Sequence, residues 1–168
     1  MSHLRDILAR VEELAGEAEN PDAVRLAAWY HDSVYDGLPD DEERSAVRAE
    51  QDLSGLAVAP ELVREVGRLV RLTLTHDPAP GDRNGEVLSD ADLSPLALPR
   101  ERYRDNTAAI MAEYGHVPVE VFEPAAPEFW SRCWTVGVFR TERGRMRETP
   151  ARENLRAELA DLRGRHAD

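Results

Sequence analysis

The sequence predicts an all-α fold. Apolar residues recur three and four positions apart along most of the chain, cap residues and prolines mark where successive segments begin, and no alternating strand pattern appears. At 168 residues, a single helical bundle spanning 1–168 is expected, long enough to bury a core. Hydrophobic residues make up 42% and charged residues 32%, the balance of a globular chain rather than a disordered one.

The elements follow in order. Leu4, Ile7, Leu8, Val11 and Leu14 form the apolar stripe of a first amphipathic helix. Asn20-Pro21-Asp22 supplies a cap followed by proline at the first helical position. From there Ala23 to Asp36 reads as one largely apolar helix, stopped by Gly37-Leu38-Pro39. A third helix starts at Asp40 and carries Ala46, Val47, Ala49 and Leu53. Pro60 opens a fourth, with Leu62, Val66, Leu69, Val70 and Thr73 on one face. His76 to Glu86, dense in proline, glycine and aspartate, reads as the one long loop. A short helix over 87–97 and another over 101–114, bearing Tyr103, Thr107, Ile110 and Tyr114, come next. Pro118, Pro124 and Pro127 break the chain before an aromatic-rich helix from Glu128 to about Phe139. Thr149-Pro150 then caps a final helix whose stripe is Ala151, Leu155, Leu159 and Leu162.

Composition removes several classes of function. A net charge of −12 argues against a duplex nucleic-acid binder, which wants a basic face. Every basic residue is arginine, so Schiff-base and P-loop lysine chemistry are excluded. The single cysteine, Cys133, allows no internal disulfide and no cysteine-based zinc cluster; it reads as a buried thiol. No apolar run approaches the roughly 20 residues of a membrane helix, and the charged start of the chain is no secretory signal. No membrane partner and a cytoplasmic location are the expectations. Phe129, Trp130, Trp134 and Phe139 read first as core, and second as the face of a homodimer.

Polar residues stand where a buried helix should have none. His31-Asp32 closes the apolar run Leu26-Ala27-Ala28-Trp29, and burying an unpaired carboxylate is costly unless a cation accompanies it. Helical neighbours point about 100° apart, so both side chains reach one ion only at the edge of a buried face. Asp90-Ala91-Asp92 likewise opens an apolar segment, where two acids in a first turn would serve the helix dipole. His3 lies one residue before the first stripe. Taken singly, each has a plain structural reading: a His-Asp hydrogen bond, a dipole contact, a solvated histidine. Taken together they form a mixed nitrogen and oxygen set suited to a divalent ion.

The order His3, His31-Asp32, Asp92 resembles the signature of the HD superfamily of metal-dependent phosphohydrolases. More narrowly, LAAWYHDSVYD, DEERSA, SDADLSPLA, AEYGHVP and ARENLRAEL resemble, over almost the whole chain, a branch of predicted bacterial HD phosphohydrolases. The resemblance implies an HD-type helical bundle whose ligands are His3, His31, Asp32 and Asp92, with Asp92 preferred over Asp90. The ion would be Mn, Fe, Co, Ni, Zn or Mg, and the substrate a small phosphate ester or nucleotide. It further implies catalytic roles for Asp92, Asp36 and Glu42, with Ser45 facing the same region. Arg71 and Arg104 are candidate phosphate partners. The chain departs from the family by starting after a helix its relatives carry, and by having Met111 and Ala125-Ala126 where they have arginines. Those departures keep open a non-catalytic ligand-binding module. A di-iron HD oxygenase, the remaining alternative, would recruit His76 to a second ion; otherwise His76 reads as a loop residue or substrate contact, and His116 follows Asp92.

Overall fold

A computed structural model describes residues 2–113 and 133–165. Helices account for all the regular structure among the described residues, and no strand occurs there. The chain groups into two compact units, Met1–Asp92 and Leu93–Asp168, each with its own apolar cluster.

In the first unit the helices are α1 (Ser2–Leu14), α2 (Pro21–Tyr30), α3 (Asp41–Gly55), α4 (Pro60–Leu72) and α5 (Arg83–Asp92). Their buried stripes meet in one core built from Ile7, Val11, Val24, Val66, Leu69 and Leu88 among others. Val47, expected in that core, is exposed instead. α2 begins as the sequence predicts, with Asn20 Oδ1 accepting the Ala23 N–H at 3.1 Å ahead of Pro21.

Near the site, the helix boundaries differ from expectation at α2 and α5. α2 stops at Tyr30 rather than running to Asp36. Side chains of α3 capture the amides that a longer helix would have used. Ser45 Oγ accepts the Val34 N–H at 3.0 Å. Asp41 Oδ2 accepts from Asp36, Gly37 and Leu38 at 2.8, 2.7 and 3.1 Å. The His-Asp pair therefore lies at the end of α2, not within it. α5 starts at Arg83, four residues earlier than expected, because Asp82 Oδ1 accepts the Gly85 N–H at 3.0 Å. It ends at Asp92, and a 3-10 turn follows over Ser94–Ala97.

Hydrogen bonds at the far ends of α1 and α2 set the register of α5. Arg83 Nε donates to the Glu17 carbonyl at 2.8 Å, where α1 gives way to the turn before α2. The Asn20 N–H donates to Asn84 Oδ1 at 2.7 Å. With α5 anchored there, α1 runs antiparallel to it and α2 parallel, so the start of α1 and the ends of α2 and α5 arrive at one place.

The second unit holds α6 (Arg100–Glu113), α7 (Glu142–Arg145) and α8 (Glu148–Arg165), and α6 and α8 pack with the 3-10 turn. Asn154, buried in α8, donates to the carbonyls of Leu96 and Leu98 at 2.9 and 2.8 Å. Cys133 and Phe139 are buried, while the guanidiniums of Arg152 and Arg156 lie 5.8 and 5.2 Å from the Trp134 ring. The helix holding Cys133 ends by Thr135, earlier than Phe139, and Gly137 takes a φ of 107° that favours glycine. Phe129, Trp130, His116 and the Ala125-Ala126 pair lie outside the described residues.

Candidate metal centre

Three helices of the first unit deliver His3, His31, Asp32 and Asp92 to one spot. His3 Nε2 lies 3.1 Å from both His31 Nε2 and Asp92 Oδ1. His31 Nε2 is 3.5 Å from Asp92 Oδ1 and 3.1 Å from Asp32 Oδ2. Asp32 Oδ2 stands 3.7 Å from His3 Nε2, on the more exposed side. The donors of His3, His31 and Asp92 all lie within 4.8 Å of one another. Asp90, by contrast, is buried within α5 and is not one of the converging carboxylates.

These separations fit a shared cation. Bonds of about 2.1 Å place neighbouring ligands roughly 3.0 Å apart in an octahedron and roughly 3.4 Å apart in a tetrahedron. The observed donor spacings of 3.1 to 3.7 Å overlap that range. The ring of His31 is also set for ligation. Its Nδ1–H donates to the Ala28 carbonyl at 2.9 Å, so in the neutral ring the lone pair sits on Nε2, toward the cluster.

Electrostatics point the same way. Asp92 occupies the last turn of α5, not the first. Helix carbonyls there repel a carboxylate, so this acid, expected in a first turn, gains nothing from the helix dipole. Burial also opposes its ionisation, yet hydrogen bonds from His3, His31 and His76 hold its carboxyl well below the usual range. Burial works against charge on His31 too, but its bonds to Asp32 and Asp92 outweigh that and push it up to about 10. The bond to Asp92 raises His3 as well. Without a metal, positive charge at this spot comes from protons on the imidazoles; a divalent ion would supply it instead.

The surroundings assign the DEERSA segment. Asp41 and Ser45 pin the chain that follows the His-Asp pair. Glu42, half-buried, feels the charges of both Asp32 and His76, and burial raises its pKa. Asp36 is drawn away: its carboxylate pairs with Arg44 at 2.8 Å and is mostly exposed. Arg71 does not stand ready for a phosphate, because Glu43 holds it through two bonds of 2.7 and 2.8 Å and Glu50 through two more of 2.6 and 3.3 Å. Arg104 is exposed on α6.

The contacts of two residues escape sequence reasoning. Asp41 anchors the loop through backbone amides, which leave no residue pattern beyond an acid near a helix start. His76 donates from Nε2 to Asp92 Oδ2 at 2.9 Å, a contact between residues sixteen apart that no helical spacing announces. Comparisons with protein-family models, with curated proteins and with solved structures returned no match.

Proposed function

We propose that the chain is a metal-dependent hydrolase of a small phosphate ester, of HD type, in which His3, His31, Asp32 and Asp92 hold a divalent ion. One observation carries this reading: two imidazoles and two carboxylates from three separate stretches of the chain meet at ligand-like spacing where an uncompensated acid would be unstable. A bound ion of this kind polarises a phosphoryl oxygen and lowers the pKa of its water.

The protein's own part is division of labour among its acids. Asp92 has one oxygen against His3 and His31 and the other against His76, and it stays ionised; it binds and does not exchange protons. Asp36 is occupied by Arg44. Glu42 is the acid suited to proton transfer. Its burial weakens it as an acid, and a base whose pKa lies nearer the working pH takes a proton from attacking water more effectively. The same carboxyl then holds that proton for the leaving oxygen.

The test is a panel of phosphate esters with protein purified without chelator, alongside elemental analysis. The wild type should turn over a member of the panel, and D92A should lose both metal and turnover. E42Q should keep its metal and lose turnover by about 10²- to 10⁴-fold. A wild type that holds metal and hydrolyses nothing would instead identify a non-catalytic ligand-binding module.

A further inference from the structure

We infer that His76 is a positioning residue, held in a strained backbone conformation so that its ring fixes how Asp92 presents an oxygen to the metal. The inference rests on the metal reading of the preceding section. Its first support is the partition of the carboxylate. Asp92 Oδ1 faces His3 and His31 at 3.1 and 3.5 Å, while Oδ2 receives the His76 Nε2–H at 2.9 Å. A carboxylate tethered through one oxygen cannot rotate about its last bond without breaking that tether, so its other oxygen stays aimed at the cluster. Outer partners of this kind set the orientation and basicity of a ligand.

The second support is the backbone. His76 has a φ of 51°, in the left-handed region where a side chain is disfavoured and glycine is the usual occupant. It sits just past α4, its N–H bonded to the Leu72 carbonyl at 2.8 Å, in the position where a helix commonly ends on glycine. A turn needing only to stop α4 would be better served by glycine. At His76 the side chain has a partner, the Asp92 carboxylate, that a glycine could not supply. Ala57 provides an internal reference: it is the other non-glycine residue with positive φ among the described residues, at 56° after α3, and its methyl group can make no polar contact.

The experiment sets backbone relief against ligand positioning. Wild type, H76G, H76Q and A57G are titrated with Mn²⁺ and with Zn²⁺ by calorimetry, and the metal-free forms are melted. A57G should melt higher than wild type with unchanged metal affinity. H76G exchanges a bond to the buried Asp92 carboxylate for backbone relief, and it should still melt cooperatively in the metal-free form, yet bind metal about 10- to 100-fold more weakly at unchanged stoichiometry. H76Q, which keeps an N–H donor of similar reach, should retain more affinity than H76G. Four results overturn the inference. H76G could bind as tightly as wild type, or H76G and H76Q could lose affinity alike. Metal-free H76G could fail to melt cooperatively, which assigns His76 to the fold, or the stoichiometry could change, which makes His76 a ligand. A wild type that binds neither ion removes the metal reading, and this inference with it; the first four results leave that reading standing.

Discussion

His31 shows how much chemistry one residue concentrates. Its buried ring is locked by the Ala28 carbonyl on one side and faces two carboxylates on the other. Because its folded-state pKa is raised from 6.5 to about 10, the charged ring stabilises the metal-free protein fully below about pH 6.5. That contribution fades as pH rises through about 10. A metal ligand must be neutral, so between those limits binding displaces a proton. Divalent-ion affinity should therefore rise with pH across this window, and calorimetry in buffers of different ionisation enthalpy should show net proton release; equal heats in all buffers would contradict the ligand role. Glu42 yields a second residue-scale prediction. A base acts when ionised, so turnover should fall as pH drops through its burial-raised pKa, on a limb lying above 4.5, and E42Q should flatten that limb.

At the scale of elements, the ends of helices matter more than their middles. Asp41 gives one oxygen to three amides of the chain after the His-Asp pair. D41A should cost about 1–3 kcal/mol by denaturant titration, and should lower turnover, because that loop and Glu42 share the same anchor. In the second unit Glu148 accepts from the amides of Val138 and Phe139 and pairs with Arg152. Burial raises its pKa, but those bonds lower it further, so the net shift is downward from 4.5. The stabilisation is present above about pH 4.5 and lost as pH falls through the folded value. E148Q should thus be less stable than wild type by about 1–2 kcal/mol at neutral pH, and the two should converge in acid.

Helix existence was largely legible, because periodic apolar residues and Asn20-Pro21 are local signals. Boundaries were not. Nothing near Asp36 reveals that Ser45 and Asp41, several residues on, will take its segment's amides, and so the helix read through to Asp36 ends at Tyr30. The same limit misplaced Asp92 in a first turn, when Asp82 starts α5 earlier and leaves it in the last. His3, His31, Asp32 and Asp92 could be singled out as polar residues on apolar helices and as members of an ordered pattern. His76 could be singled out only as a ligand of a second ion, a loop residue or a substrate contact; its bond to Asp92 was not legible, since it depends on a backbone angle and a fold.

For the molecule as a whole, the five helices of the first unit act as a frame that carries donors to one end. The frame is tied at the opposite end by Arg83 to Glu17 and by Asn20 to Asn84. Val66, Leu69 and Val70 of α4 are fully buried in its core. A net charge of −12 also favours approach of a cation over approach of an anion, which suits loading a metal more than attracting a phosphate. The most direct measurement is a crystal structure of protein loaded with Mn²⁺ or Zn²⁺, with anomalous diffraction collected across the metal's absorption edge. A peak should appear about 2.0–2.3 Å from Nε2 of His3, Nε2 of His31 and Oδ1 of Asp92, with Asp32 completing the protein ligands. An anomalous map with no peak among those atoms, from crystals soaked at saturating metal, would contradict the assignment of this cluster as a metal centre.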